Sequence, residues 1–462
     1  MRRGDIGDFS RQQQVTSMDI IHKWLLDNRI SEVEVLVPDM TGNARGKFIP
    51  ADKFIRQDNP RLPEGILAQA VNGDYPDDYW ELLDPRDRDM NLRADPNTMR
   101  LVPWANEPTA QIIHDCYDME GNLHPLSTRS VLRRVLALYE KDGLKPVVAP
   151  EVEFYLVKKN IDPDYELEPP IGRSGRPESA RQSYSIDAAN EFDPIIEDMY
   201  RFCEQQKLDL DTLIHEAGAA QLEVNFLHGD AINLADQVFT FKRTMRETAL
   251  RHNVYATFMS RPMAKEPGSA MHIHQSVLRA EDGTNIFSHP DGQDTQLFMH
   301  YIGGLQKYVP LLIALFAPNV NAYRRFTREI AAPISLHWGH DNRTVGFRVP
   351  ESNYINRRVE NRFAGADANP YLAIAGTLVA GYLGMKQKLD PTDPYPGNAY
   401  QEEITVARSL EEALRTIDQD DAVVDILGES FIRAYRSVKL TEYEAFNRTI
   451  SSWEREHLLL NV

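Results

Sequence analysis

Between Pro150 and Phe363, four short stretches carry carboxylates, imidazoles or guanidiniums at alternate positions. They are Pro150-Glu151-Val152-Glu153-Phe154, Gln221-Leu222-Glu223-Val224-Asn225-Phe226, Met271-His272-Ile273-His274 and Arg358-Val359-Glu360-Asn361-Arg362-Phe363. In an extended strand, side chains two apart share a face. Val152, Leu222, Val224, Ile273, Val359 and Phe363 can therefore pack on one side while Glu151, Glu153, Glu223, His272, His274 and Glu360 converge on the other. With His215-Glu216 just upstream of the second stretch, the set holds five glutamates and at least one histidine. That is hard, oxygen-rich ligation suited to Mg2+ or Mn2+.

Each stretch taken alone has a plainer reading. Glu151 and Glu153 could be solvated carboxylates on an edge strand. Yet Val147-Val148-Ala149 before them and Phe154-Tyr155-Leu156-Val157 after them read as a central strand, where paired carboxylates need a cation. An isolated His-x-His pair is more often structural, but Gly268-Ser269-Ala270 in front of this one would let a ligand approach the backbone. Arg324, Arg325, Arg343, Arg348, Arg358 and Arg362 could form a solvated basic face. Against that, Arg358 and Arg362 flank Glu360 on one strand face, and guanidiniums beside metal-bound carboxylates spread the charge that develops in phosphoryl transfer. Gly42-Asn43-Ala44-Arg45-Gly46-Lys47 is not a Walker loop, since three residues separate its glycines and Phe48 replaces Ser or Thr. A nucleotide would be held through metals and arginines instead.

The elements that must position these groups alternate along the chain. Met18 to Asn28 reads as an amphipathic helix, Glu32 to Val37 as a strand, and Asp39 to Asn43 as its turn. Ser127 caps a helix that Gly143 stops, and the domain boundary falls just before it. Further helices are expected at about 192–207, 232–252, 297–317, 370–388 and 440–458, with a long surface loop at 159–182. The apolar runs Val309–Ala317 and Tyr371–Met385 are too short to span a bilayer and read as buried helices. A net charge of -18 over 462 residues argues against nucleic acid or an anionic membrane as partner. Two cysteines and a polar stretch after Met1-Arg2-Arg3 point to a reducing, cytoplasmic compartment.

Several segments together resemble the glutamine synthetase family, in order and spacing over nearly the whole chain. They are Ala149 to Phe154, His215-Glu216 with Gln221-Leu222-Glu223, Gly268 to Ser276, Asn342-Arg343-Thr344 to Arg348-Val349-Pro350, Arg358 to Arg362, and Ala368-Asn369-Pro370-Tyr371. Within the family, Asn361 to Pro370 and the ending Ile450 to Glu456 are most similar to bacterial glutamate–polyamine ligases. The polar residues 1–16 read as a mobile tail, and the resemblance implies an α+β fold: a small β-grasp domain over 17–124, and over 125–462 a large catalytic domain on a curved antiparallel sheet with flanking helices. It implies ATP as co-substrate, two or three Mg2+ or Mn2+ ions per site, and a homo-oligomer, a dodecamer of two hexameric rings with active sites between neighbours.

Carried over by position, Glu153, Glu216 and Glu223 resemble the ligands of one ion, and Glu151, His272 and Glu360 those of another. Arg325, Arg343 and Arg362, with the backbone at Gly268, resemble the clamp on glutamate and the γ-phosphate. Ser276, Arg348 and Arg358 resemble nucleotide contacts, and His228 stands where many members place a ring against adenine. Asp39 matches an aspartate sent into a neighbour's amine site, and Asp39, or Glu329 if its loop shifts, is the expected proton acceptor. Two departures matter. Ala331 stands where ammonia-using members carry a glutamate that gathers ammonium, and Tyr395 to Gln401 lacks the surroundings of the adenylylated tyrosine. The expected reaction is ATP-dependent ligation of the glutamate γ-carboxylate to a polyamine such as putrescine or spermidine, through γ-glutamyl phosphate. Its rivals are a true glutamine synthetase, a ligase for ethanolamine or a monoamine, an inactive nucleotide-sensing relative, and a small-molecule kinase or phosphatase.

Overall fold

The computed structural model describes residues 17–56, 59–179, 181–328 and 332–462. The expected mobile tail at 1–16 lies outside the described residues, as do Glu329 and Ala331.

The first sheet runs in the order β2-β1-β6-β4-β3. Its strands are β1 (Glu32–Pro38), β2 (Ala44–Pro50), β3 (Arg61–Pro63), β4 (Asp89–Ala94), β5 (Arg100–Leu101), which pairs with β6, and β6 (Thr109–Tyr117). β1 and β6 are parallel and every other pair is antiparallel. The Asp39–Asn43 turn joins β1 to β2. Gly42 holds a positive φ of 83° there, which glycine adopts without strain. Helix Ser17–Asp27 closes over the core through Ile21 and Leu25.

The second sheet runs β13-β14-β15-β12-β7-β9-β8, with β10 and β11 also on β7. Its members are β7 (Leu144–Lys158), β8 (Leu210–His215), β9 (Gln221–Phe226), β10 (Gly229–Asp230), β11 (Val254–Thr257), β12 (Met271–Arg279), β13 (Trp338–His340), β14 (Phe347–Val349) and β15 (Val359–Asn361). All pairs but β13–β14 are antiparallel. β7 is central and long. One edge pairs with β12 along 144–152 and then with β11 along 155–158, and the other passes from β10 to β9. Val152, Phe154, Leu222, Val224, Met271, Ile273 and Val359 pack on the apolar face, as their alternation requires.

Helices Thr128–Lys141, Asp193–Gln205, Ala231–Arg251 and Pro370–Gln387 stand where the periodicity predicts them. Ser127 sits at the expected N-cap, but its hydroxyl makes no cap hydrogen bond. The helix expected over 297–317 ends at Tyr308, because Pro310 has no amide hydrogen to continue the ladder. Only Ile313–Phe316 resumes it. The helix expected at 440–458 is two helices, Glu429–Asn447 and Ser452–His457, the second opened by a capping box of Ser451 and Glu454. Both apolar runs are buried in the protein core. Among the described residues, no helix is long and apolar enough to cross a membrane.

Candidate metal and nucleotide site

Strand register puts the polar faces of the four stretches side by side. Glu151 pairs with Asn225 on one edge of β7 and with His272 on the other. Glu153 lies opposite Glu223, and His274 opposite Glu360. The ligating atoms of Glu151, His272 and Glu360 lie within 4.8 Å of one another, and so do those of Glu153, Glu223 and His272. His272 thus stands between two groups of carboxylates. Its Nδ1 is 3.4 Å from Glu151 Oε2 and 3.6 Å from Glu360 Oε1, while its Nε2 is buried with no hydrogen-bond partner.

The charges here are not balanced from within. Burial, reinforced by Glu216, pushes the Glu153 carboxyl up from 4.5 to about 8. Burial and the neighbouring Glu151, Glu153 and Glu216 raise Glu223 well above the usual carboxylate range. Glu216 is raised by burial and by Glu151, and the nearby Arg343 opposes the shift. Burial also opposes ionisation of Glu151, but His274 and His272 hold it well below the usual range. Glu360 is likewise held low against its burial by Arg362, His274 and His272. Burial and Arg362 lower His272 and favour the neutral imidazole that ligates metals. Buried carboxylates crowded round a free imidazole nitrogen fit hard divalent cations.

Further groups shape this floor. Glu153 Oε2 accepts hydrogen bonds from the Ala270 amide at 2.9 Å and from Gln221 Nε2 at 3.2 Å, and Gln221 Nε2 also reaches the Gly268 carbonyl at 3.0 Å. Glu360 accepts from Arg362 Nη1 and, at 3.1 Å, from Arg348 Nη1. Arg325 is buried, donates to the Phe363 carbonyl at 3.0 Å and lies against Gly268. A Cβ on Gly268 would come within 2.6 Å of Arg325 Cγ, so glycine is required there. Arg343 is exposed, and its charge acts on Glu216.

A cavity of about 610 Å³ adjoins the cluster at Glu151 and His274, and His228, Ser276, Asn356 and Arg358 line it. His274 links cluster and cavity, with Nε2 2.9 Å from Glu151 Oε1 and Nδ1 3.3 Å from Arg358 Nε. Arg348 faces Glu360 and Asp341 instead. Asp39 is buried in its own turn. Its carboxylate accepts from the amides of Thr41 and Asn43, the Thr41 hydroxyl and Arg45, and its carbonyl from Asn369. None of these partners belongs to the cluster.

Sequence reasoning placed His274 on the polar face without giving it a role, and passed over Gln221 and Glu178. Gln221 stands two residues before Glu223, so period two alone marks its face. Glu178 sits in the Pro- and Gly-rich 159–182 loop, where no periodicity points to it.

A family model described as the glutamine synthetase catalytic domain matches residues 125–458. The gamma-glutamylputrescine synthetase PuuA of Escherichia coli (strain K12) is 33% identical over 437 residues, covering 93% of this chain and 92% of its own length. A glutamate–isopropylamine ligase of Pseudomonas sp is 31% identical, covering 96% and 97%. A glutamine synthetase of Thermococcus kodakarensis is 35% identical, covering 90% and 89%. The fold is shared with a solved structure of apo GmaS without ligand, at a TM-score of 0.81 and 24% identity, covering 95% of this chain and 99% of that one.

Proposed function

Because this chain belongs to the glutamine synthetase family of ATP-dependent glutamate–amine ligases, we propose that it joins the γ-carboxylate of glutamate to a polyamine such as putrescine or spermidine. The observation that carries the ligase chemistry is the pair of carboxylate groups around His272, beside the cavity that ends at Arg358. Glu153, Glu216 and Glu223 would hold one Mg2+ or Mn2+ ion, and Glu151, His272 and Glu360 another. When bound, such ions neutralise and polarise a γ-phosphate.

The chain's own groups do the rest. A carboxylate oxygen must become a leaving group before an amine can displace it, so the glutamate γ-carboxylate first attacks the γ-phosphorus of ATP and releases ADP. Arg325 and the Gly268 backbone hold the glutamate, with Arg362 beside them. Arg343 stabilises the transferring phosphoryl group. Ser276 and Arg358 serve the nucleotide from the cavity wall, Arg348 braces Glu360, and the exposed imidazole of His228 stacks on the base. The amine then displaces phosphate from γ-glutamyl phosphate and loses a proton, for which Asp39 of a neighbouring subunit or Glu329 is the proposed acceptor. A dodecamer of two hexameric rings would bring that Asp39 turn to the next site; a monomer by light scattering would count against it.

For the amine, the support is Ala331 in place of an ammonium-gathering glutamate, together with the likeness to a gamma-glutamylputrescine synthetase. A diamine carries a second ammonium that an acidic site can anchor, and ammonium itself offers none. Phosphate release with glutamate, ATP and ammonium, isopropylamine, putrescine, cadaverine or spermidine tests this. Diamines should exceed ammonium in kcat/KM by about tenfold or more, the worth of one hydrogen bond to a charged group, and Ala331→Glu should narrow the gap. Preference for isopropylamine would favour the monoamine reading that the Pseudomonas relative suggests. Equal use of ammonium would make the protein a glutamine synthetase.

A further inference from the structure

Glu216, whose charge bears on Glu153 and Glu223, stands in the tight turn 216–220 between β8 and β9, and that turn carries strain. Ala220 holds a φ of 57°, a left-handed conformation that costs a residue with a Cβ about 1 to 2 kcal/mol. Gly218 lies so close to Tyr155 that a Cβ would meet its hydroxyl at 1.9 Å. The turn's own hydrogen bonds are few: Glu216 N to the Gln221 carbonyl at 2.9 Å, Gln221 N to the Gly218 carbonyl at 3.1 Å, and Gly218 N to Gln221 Oε1 at 2.9 Å. What holds the rest comes from far away in sequence.

Glu178, in the long loop after β7, inserts its side chain beneath the turn. The side chains of Glu178 and His215 are 8% and 0% exposed, so this contact is shut off from solvent. Glu178 Oε2 accepts from the strained Ala220 amide at 2.7 Å and lies 3.0 Å from His215 Nε2. On its other side, His215 Nδ1 is 2.7 Å from the carbonyl of Glu216. Both ring nitrogens thus face oxygen acceptors, and one carboxylate fixes the two ends of the turn. Carboxylates and carbonyls behind a ligand-bearing segment orient the ligand and tune its metal.

We propose that Glu178 is a positioning residue for the metal site: through His215 and the Ala220 amide it holds Glu216 against Glu153 and Glu223, so that the loop and one ion site form as a unit. The proposal rests on the reading of Glu216 as a metal ligand. It separates the two carboxylate groups, because the Glu178 carboxylate bonds the turn that carries Glu216 and, among the described residues, none of its hydrogen bonds goes to Glu151, His272 or Glu360.

Mn2+ binding to nucleotide-free protein, followed by electron paramagnetic resonance, tests it without reference to turnover. Glu216→Ala and Glu360→Ala identify which binding step belongs to which group. Glu178→Ala should weaken the step lost in Glu216→Ala by about tenfold, the low end for groups behind a ligand, and leave the other step unchanged. Glu178→Gln keeps an oxygen for the Ala220 amide and should fall between. The glutamine variant decides the matter if the alanine variant does not fold. Wild-type affinity at both steps in a folded Glu178 variant would overturn the proposal, and so would equal weakening of both steps, which marks a general loss of structure. Wild-type binding by Glu216→Ala would instead remove the reading of Glu216 as a ligand.

Discussion

Glu153 and Glu223 occupy directly opposed ladder positions, an arrangement that destabilises a sheet when both are charged. A cation between them would relieve that repulsion, and two expectations follow from the proposed site at this scale. Glu153→Ala and Glu360→Ala should each lower ATP-dependent turnover about a hundred- to thousandfold, the rate equivalent of several kcal/mol, with circular dichroism unchanged. Near-normal activity at saturating metal would remove those residues from the site. The second concerns pH. Glu153 titrates at about 8 in the folded, metal-free protein against 4.5 ordinarily, so the folded state binds its proton more tightly. The stability this group contributes is complete below pH 4.5 and is lost as pH rises through about 8. A divalent ion needs the ionised form and competes with that proton. Mg2+ should therefore raise the melting temperature more at pH 8 than at pH 6, and equal increments would contradict the assignment.

Among elements, what could be read in the sequence is what repeats locally. Period two marked the polar faces of β7, β9, β12 and β15, and apolar spacing marked the long helices, because each pattern is set by one element's own geometry. The order of strands was hidden. Nothing in Pro150 to Phe154 says that Glu151 will meet Asn225 on one side and His272 on the other, since pairing is decided by packing between distant segments. The break at Pro310 and the capping box at Ser451 were legible, but the apolar rhythm runs across both. Helix contacts were hidden too: Gln296–Tyr308 and Pro370–Gln387 approach so closely that a Cβ on Gly304 would lie 2.2 Å from the Ala380 carbonyl. Gly304→Ala should force these helices apart and destabilise the fold by about 1 to 3 kcal/mol. An unchanged melting temperature would show that the helix pair can slide to make room.

At the scale of the whole molecule, Arg129 ties the first sheet to helix Ala231–Arg251, which packs on β7 of the second. Its guanidinium is 1% exposed and meets Asp115 on β6, Asp95 just after β4 at 2.7 Å, and Asp236 of helix Ala231–Arg251 at 2.7 Å. Tyr371 donates to the same Asp236 at 2.7 Å. Arg129→Met would leave Asp236 with the Tyr371 hydroxyl, and Asp95 and Asp115 with Arg133 as their remaining ion-pair partner, and should destabilise by about 3 to 5 kcal/mol, as loss of a buried partner does. Calorimetry should then resolve separate melting of the two sheets, and a single transition at the wild-type temperature would refute the tie. The wide spacing of the metal-site residues has a consequence for how the chain reaches this state. Glu151 and Glu360 meet only when β7, β12 and β15 are all in register, and contacts so distant in sequence form late. Mg2+ present during refolding should therefore leave the early, collapsed stages at their ion-free rates and slow unfolding of the finished protein. Such an ion would act as a latch on a completed chain, engaging only molecules whose strands have already found their order.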